Sequence, residues 1–399
     1  MIRRGCWLGG LFVLLPLCAG NGQQTNTLAN GAVYIGDFKQ GQPSGQGTLT
    51  FPNGTRYVGE FRDGKPDGRG AISSSDGATY SGDFRDGRPD GQGTLTMPDG
   101  RQYVGQEKDG HATGKGTETW PSGRKYTGDF DDGVPNGQGT LTLPDGSRYI
   151  GEFWDDQPNG QGTFQWPDGR RYVGGFSQNQ FDGQGTLTLK DGSSYTGQFQ
   201  ADLPNGQGTF KWPDGRAYTG QFKNGEPEGK GVRLSADGSK YVGGFKEGRV
   251  HGQGAITLPD GETYVGQFED GRFVGEGTLT SPNGTVEYGE WRDDKPYRVS
   301  GTSVFADGTK EVGTWNTDGS PCGGTITWKD GRQYQGGWKI VLGAPELPDG
   351  TGTMTWPDGR KYTGQFRDGH QDGRGVMTWP DGKVQDGQWT QDRFTGAPP

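Results

Sequence analysis

Residues 126–148 read YTGDFDDGVPNGQGTLTLPDGSR, and this pattern of aromatic residues, glycines and prolines recurs every 23 residues along most of the chain. With Tyr126 as position 1, a repeat has glycine at positions 3, 8, 12 and 14, phenylalanine at 5, proline at 10, leucine at 16 and Pro-Asp-Gly at 19–21. Such regularity predicts a tandem-repeat protein. Sixteen repeats begin at residues 34, 57, 80, 103, 126, 149, 172, 195, 218, 241, 264, 287, 311, 334, 362 and 385.

Each repeat contains two candidate strands. Positions 1–5 and 14–18 alternate apolar or small residues with polar ones, which is the period of a strand with one solvated face. Turn sequences separate the runs: an Asp-Gly-x-Pro-x-Gly segment such as 63–68, and Pro-Asp-Gly such as 98–100. The predicted fold is therefore all-β: an elongated, single twisted sheet of antiparallel β-hairpin repeats, with no helical domain beyond an N-terminal leader.

One face of this sheet is predicted to carry the aromatic residues. Position 1 tyrosine, position 5 phenylalanine and the residues at 16 and 18 point to the side that also holds glycines 3 and 14. We expect each ring to lie over bare glycine backbone, so that the sheet curls into a trough. Large aromatic residues at position 18 would form a broken stripe along the trough, namely Phe51, Trp120, Trp166, Trp212, Trp328, Trp356 and Trp379. The six tryptophans are the candidate groove-lining interaction residues.

Composition and charge exclude several functions. Only 27% of the 399 residues are hydrophobic, which is too little for several conventional cores, whereas aromatic residues remain at 12%. The formal charge of −9 argues against nucleic acid as a partner. His111, His251 and His370 lie at turn positions many repeats apart, so no metal or catalytic site is predicted. No cofactor is expected, and the chain is predicted not to be an enzyme.

The N-terminus predicts export. Basic residues at 3–4 precede an apolar run at 8–17 and a polar segment after residue 20. This order is typical of a signal peptide over residues 1–20, followed by a short lead-in over 21–33. Residues 15–18 resemble a bacterial lipobox, which makes Cys18 a candidate lipidation site; ordinary cleavage after residue 19 or 20 is the alternative. The predicted location is periplasmic or secreted, with a lipid anchor as the only direct membrane attachment.

The pattern Y-x-G-x-F-x-x-G-x-x-x-G-x-G resembles the MORN (membrane occupation and recognition nexus) repeat, here in a bacterial exported form. The resemblance covers the chain from about residue 30 to its end. It implies a twisted β-hairpin array that serves as a scaffold or interaction surface, self-associating in some members and proposed to bind membrane lipid in others. Where such repeats accompany an enzyme, catalysis belongs to another domain, and the repeats leave no room for one here.

Two repeats depart from the pattern, over residues 287–310 and 334–361. The first has 297–300 where the Gly-x-Gly run is expected, and the second has an insertion at 340–345. Both are predicted to be irregular loops, either tolerated or part of a binding face. The final repeat, from 385, is predicted to cap the exposed edge of the array.

These observations favour a non-enzymatic extracytoplasmic scaffold that binds a partner protein or a second copy of itself through the aromatic trough and the long edges of the sheet. A cell-wall or polysaccharide-binding module is one alternative, because periodic tryptophan and tyrosine beside polar side chains suit sugar rings. A membrane-lipid-associated repeat protein is another, using basic pairs such as 124–125 and 170–171. Acidic residues in the same repeats oppose that alternative.

Overall fold

The computed structural model describes residues 24–305, 307–315, 321–339 and 345–396, and these contain strands and turns without a helix. The predicted signal peptide and Cys18 lie outside the described residues. The chain divides into two compact halves, Met1–Leu203 and Pro204–Pro399, and each is described by itself. The all-β prediction is confirmed.

In the first half, strands of four to nine residues follow one another with the period of the repeat. They are β1 (Gln24–Thr27), β2 (Val33–Lys39), β3 (Gln42–Thr50), β4 (Arg56–Arg62), β5 (Lys65–Ser73), β6 (Thr79–Arg85), β7 (Arg88–Thr96), β8 (Gln102–Lys108), β9 (His111–Thr119), β10 (Lys125–Asp131), β11 (Val134–Thr142), β12 (Arg148–Trp154), β13 (Gln157–Gln165), β14 (Arg171–Ser177), β15 (Gln180–Thr188) and β16 (Ser194–Gln200).

The second half repeats this plan. Its strands are β17 (Leu203–Lys211), which begins at the boundary, β18 (Ala217–Lys223), β19 (Glu226–Leu234), β20 (Lys240–Lys246), β21 (Arg249–Thr257), β22 (Thr263–Glu269), β23 (Arg272–Thr280), β24 (Val286–Arg292), β25 (Lys295–Val304), β26 (Lys310–Trp315), β27 (Pro321–Thr327), β28 (Gln333–Lys339), β29 (Leu347–Thr355), β30 (Lys361–Arg367), β31 (His370–Thr378), β32 (Val384–Thr390) and β33 (Arg393–Gly396).

Consecutive strands within each half pair antiparallel, so each half is a β-meander. Strand β12, for example, pairs with both β11 and β13. Within the hairpin β12–β13 the register runs regularly to Gly151 opposite Gly162 and then jumps to Phe153 opposite Pro158. A bulge of this kind bends the strands and increases their local twist.

The first turn of the repeat is shorter than the sequence suggested. Asp63 and Gly64, with φ of 48° and 82°, form a two-residue turn with both φ angles positive, as in a type I′ hairpin. The prediction of a turn over 63–68 is wrong beyond Gly64, because Pro66 pairs with Phe61 inside β5. Proline fits this site because its missing N–H is not needed, while its carbonyl accepts the Gly87 N–H at 2.8 Å.

The second turn agrees with the prediction. Between β7 and β8, the Gly100 N–H donates to the Met97 carbonyl at 2.9 Å, and the Met97 N–H donates to the Arg101 carbonyl at 2.8 Å. Gly100 has φ of 83°, so the turn is a three-residue loop closed by a left-handed glycine.

The inner face of each half is a ladder of edge-to-face aromatic rings. Tyr149 is fully buried, and its hydroxyl donates to the Glu152 carbonyl at 2.8 Å. Its ring meets Phe153 at 5.0 Å and Phe176, from the next repeat, at 4.8 Å between centroids. A Cβ on Gly162 would collide with the Tyr149 ring. The prediction that the position 1 rings lie over bare glycine backbone is confirmed.

The irregular repeats are more regular than predicted. Residues 297–300 belong to β25, which pairs with β24 and β26, so the loop predicted there is wrong. The segment contains no glycine to break the strand, and the extra residue lengthens β25 to ten residues, against nine in a regular second strand such as β23. Of the insertion at 340–345, residues 340–344 lie outside the described part of the chain.

Short strands stand at both ends of the described array. The lead-in over 21–33 contains β1, which pairs with β2. At the other end, β33 pairs with β32, and Phe394 packs on Trp389 at 5.4 Å between ring centroids. Strands of four residues present little unpaired edge.

Candidate functional site

The six candidate tryptophans are half-buried, and a cation lies over each indole ring. The cation belongs to position 22, just after the tight turn that follows the tryptophan. The pairs are Arg124 over Trp120 at 4.3 Å, Arg170 over Trp166 at 4.7 Å, Arg216 over Trp212 at 5.1 Å, Arg332 over Trp328 at 5.0 Å, Arg360 over Trp356 at 5.3 Å and Lys383 over Trp379 at 5.2 Å.

Acidic turn residues hold several of these cations in place. Asp168 Oδ2 accepts the Arg170 Nε–H at 2.8 Å, and Asp168 Oδ1 accepts the Arg170 backbone N–H at 3.1 Å. These contacts, the backbone hydrogen bond first, lower the pKa of the Asp168 carboxyl. Of the basic pairs considered for lipid, Arg170 is thus paired within its own turn and Arg124 with Asp156, two repeats further on, and one face of each indole is occupied by the cation.

The structure brings only some of the tryptophans together. In the second half, Trp328, Trp356 and Trp379 pack against one buried cluster that includes Tyr334 and Tyr362. Elsewhere the indoles contact phenylalanine at position 16: Trp166 lies 4.6 Å from Phe164, and Trp212 lies 4.4 Å from Phe210.

A groove of about 810 Å³ lies on the inner face of the first half. Tyr149 and Phe176 form its buried floor, and Phe164 and Trp166 stand on one side. The turns between β12 and β13 and between β14 and β15 stand on the other side, so the groove is concave. This geometry supports the predicted trough for these repeats.

The turns beside this groove lack the glycine found at position 8 in most repeats. Asp156, Asn179 and Asp202 occupy that position in three successive repeats, with φ of 63°, 68° and 68°. Asp156 Oδ1 accepts a hydrogen bond from Arg124 Nη2 at 3.1 Å. Sequence reasoning missed this cluster, although the absence of glycine at position 8 in three successive repeats was a visible signal.

The outer face carries a row of side chains from positions 2 and 15, one on each strand. Most are β-branched; those at position 2 are exposed, and most of those at position 15 are half-buried. Thr48, for example, stands between Ile35 and Val58 on the flanking strands. The larger members in the first half are 36–46% exposed: Ile35, Val58, Val104, Ile150 and Val173. The corresponding exposed valines of the second half are Val242, Val265 and Val312. We call these residues, with the position 15 side chains between them, the outer row.

Three buried carboxyls stand on the inner face, two of them, Glu107 and Glu311, in place of rings of the aromatic ladder. Glu107 stands at position 5, and burial raises its pKa to about 7. Glu118 at position 16 also has its pKa raised to about 7 by burial, which the nearby Arg101 opposes. Glu311 occupies the tyrosine position and accepts the Glu346 N–H at 2.7 Å; burial, then the Glu346 side chain, raises its pKa to about 9.

The histidines do not converge. Nδ1 of His111 lies 3.3 Å from Asp132, and Nδ1 of His370 lies 2.7 Å from Asp392, so each pair joins the turns of two neighbouring repeats. The residues that the structure describes contain no group of three or more side chains arranged to hold a metal ion. Within the same residues, no helix is both long enough and apolar enough to span a membrane.

The hairpin pairing, the aromatic ladder and the outer row define a tandem β-hairpin repeat protein, which acts as a repeat scaffold or binding module. The chain belongs to the MORN repeat family. The family model matches thirteen stretches, at residues 34–56, 57–79, 80–100, 103–123, 126–148, 149–170, 172–194, 195–215, 218–240, 241–263, 264–286, 347–359 and 362–384.

Comparison with curated proteins returned no match. Solved structures that resemble the chain include the TCP domain of SAS-4 (dCPAP) of Drosophila melanogaster in complex with a proline-rich motif of Ana2 (dSTIL). That match is 12% identical, covers 46% of this chain and 95% of the other, and has a TM-score of 0.26. The TCP10 domain of Danio rerio CPAP in complex with a STIL peptide is 15% identical, with 92% and 100% covered and a TM-score of 0.10.

Proposed function

We propose that the chain is an exported, non-enzymatic scaffold that binds a partner protein, or a second copy of itself, through the outer row. The carrying observation is that valine or isoleucine recurs at the exposed position 2 in both halves, while the tyrosines at position 1 are buried in the ladder. Exposed apolar side chains in a contiguous row are typical of protein interaction surfaces.

The outer row suits a protein partner because its contacts repeat. Val104 lies opposite Thr94, and Ile150 lies opposite Thr163, so equivalent apolar contacts recur along each half. Weak contacts of this kind add through multivalency when one partner engages several of them at once. We therefore expect the partner of the outer row to be an extended or repetitive protein.

The proposal includes that the chain is exported from the cytoplasm and that it is not an enzyme. The basic start, the apolar run at 8–17 and Cys18 support passage out of the cytoplasm. In the described part of the chain, the His111–Asp132 and His370–Asp392 pairs lie at exposed turns and outside the groove, which supports a binding role.

Site-specific photo-crosslinking in the producing cell tests the proposal. A photoreactive residue at Val104, in the outer row, should give a crosslinked product of defined mass, whereas the same residue at exposed Lys108 should give none. With the photoreactive residue kept at 104, Val58→Lys with Ile150→Lys should abolish the product, because charge at these two outer-row positions prevents apolar contact. Asp386 already occupies position 2, so charge there is compatible with the fold.

Val58→Thr with Ile150→Thr, again with the photoreactive residue at 104, is the matched control, since threonine stands at position 2 in Thr127. It should retain most of the crosslink. A product at twice the mass of the chain identifies a second copy as the partner, and any other defined mass identifies a different protein. Equal crosslinking at Val104 and Lys108, or none at either, contradicts the proposal.

A further inference from the structure

Several departures from the repeat lie along the groove of the first half. Asp156, Asn179 and Asp202 adopt the left-handed backbone conformation, in which a side chain is disfavoured and glycine is the usual choice. Three successive turns therefore accept backbone strain and place a polar side chain where most repeats have none. All three line the groove.

The aromatic wall of the groove departs from the repeat as well. Phe164 stands at position 16, where the neighbouring repeats have Leu141 and Leu187, and Phe181 stands at position 10 in place of proline. Trp166 contacts both, at 4.6 Å and 5.9 Å between ring centroids. These rings are half-buried, so part of each aromatic surface faces the groove.

The polar lining is rich in free amides. Gln157, Gln178 and Asn179 line the groove and are exposed, and their side-chain amides make no hydrogen bond within the described part of the chain. Each amide offers two donor hydrogens and an acceptor oxygen in one plane. Such groups match neighbouring hydroxyls, which are both donors and acceptors.

The charges and the backbone argue against other ligands. Two carboxylates, Asp156 and Asp202, face the single guanidinium of Arg124, so an anionic headgroup or phosphate would be repelled. Strands β12–β15 are each paired on both sides, which leaves no free backbone edge for an added peptide strand.

We propose that this groove binds a segment of neutral oligosaccharide. The apolar faces of the sugar rings lie against Trp166 and Phe181, and the hydroxyls bond to the amides of Gln157, Gln178 and Asn179. This site goes beyond the protein-binding role of the outer row and is independent of it, because it lies on the opposite face of the sheet.

Calorimetric titration of the mature chain with cellotetraose and chitotetraose tests the site. Trp166→Ala should weaken binding of the preferred sugar by about tenfold or more, through loss of ring contact. Asn179→Gly restores the glycine usual at position 8, so it should keep the fold while weakening binding by about threefold or more. Trp356→Ala removes an equivalent cation-covered tryptophan in the second half and should leave binding unchanged.

Three results would overturn the assignment. One is the absence of binding by the parent chain to either tetrasaccharide. Another is an unchanged dissociation constant in both Trp166→Ala and Asn179→Gly, or a loss of affinity in Trp356→Ala equal to that in Trp166→Ala. The third is that the parent chain binds phosphatidylglycerol vesicles and neither tetrasaccharide, which would identify the ligand as a lipid surface. Thermal unfolding of each variant separates loss of binding from loss of fold, and Asn179→Gly keeps the test decisive if Trp166→Ala unfolds.

Discussion

The carboxylate of Asp202 accepts a hydrogen bond from the backbone N–H of Phe181 at 2.7 Å. Most repeats have proline at position 10, and proline has no backbone N–H to donate. Phenylalanine at this position provides a donor, and the next repeat has aspartate in place of glycine at position 8 to accept the hydrogen bond. The same compensation occurs between Phe273 and Asp294 at 2.8 Å. In both cases, the loss of proline in one repeat is compensated by an aspartate 21 residues later, in the next repeat.

This coupling predicts a stability cost for Asp202→Gly. The variant relieves a left-handed backbone but leaves the Phe181 N–H without its acceptor, so we expect a net loss of about 1 kcal/mol. Adding Phe181→Pro removes the donor, and the Asp202→Gly substitution should then cost nothing or be stabilising. A double-mutant cycle by urea unfolding measures the coupling, and additive effects of the two substitutions would refute it.

Two glycines of one repeat should respond differently to alanine. Gly162→Ala places a Cβ against the buried Tyr149 ring, which should cost about 3 kcal/mol through overpacking. Gly169 has open space around it but a φ of 95°, so Gly169→Ala should cost only about 1 kcal/mol. Denaturant midpoints decide the order, and an equal or reversed ranking would show that the ladder does not depend on bare backbone at Gly162.

Much of the fold follows from the sequence because each repeat specifies its own local geometry. The 23-residue period, the two-residue alternation and the turn chemistry predict the strands, and glycines at positions 3 and 14 predict the rings above them. The extent of the first turn was misjudged because Pro66 and Gly68 are typical of turns in isolation. Only the pairing of Phe61 with Pro66 shows that they belong to a bulged strand.

The candidate sites were less predictable because they depend on contacts between repeats. Position 18 and its period predict the location of Trp166, but the Arg170 cover arises from the geometry of the turn between them. The groove depends on side chains from five repeats, of which Arg124 and Asp202 are the most distant in sequence. The strand over 297–300 is not predictable from the repeat pattern, because the segment lacks the Gly-x-Gly run and yet pairs as part of β25.

Glu107 should make stability fall as pH rises from about 4.5 to 7. Burial raises the pKa of the folded carboxyl to about 7 from an ordinary 4.5, so below that range the group is protonated in both states and has no effect. Above it, the folded state carries a penalty that reaches on the order of 3 kcal/mol. Glu107→Gln should therefore be more stable than the parent at pH 8 and similar at pH 4.

The control for this prediction is Glu269→Gln, which changes an exposed glutamate on β22. The difference in unfolding free energy between parent and Glu107→Gln is measured by urea titration at several pH values. A difference that does not grow with pH, or that Glu269→Gln reproduces, would show that burial of Glu107 is not the cause.

The leader predicts a shortened protein outside the cytoplasm. Intact-mass analysis of the chain recovered from a bacterial envelope should give an N-terminus at Cys18 with a lipid adduct, or an unmodified N-terminus just after residue 19 or 20. The second result excludes a lipid anchor. Recovery of a full-length chain from the cytoplasm alone would contradict export.

Spectrophotometric titration of the tyrosines tests most directly whether the inner face is closed by the ladder. Burial raises the pKa of Tyr34, Tyr195, Tyr218, Tyr264 and Tyr362 to about 12 from an ordinary value of 10. The predicted result is that phenolate absorbance near pH 10 accounts for a small minority of the 15 tyrosines, with the rest ionising only as the fold is lost. Ionisation of most tyrosines near pH 10 in the folded chain would contradict the ladder and the surfaces inferred from it.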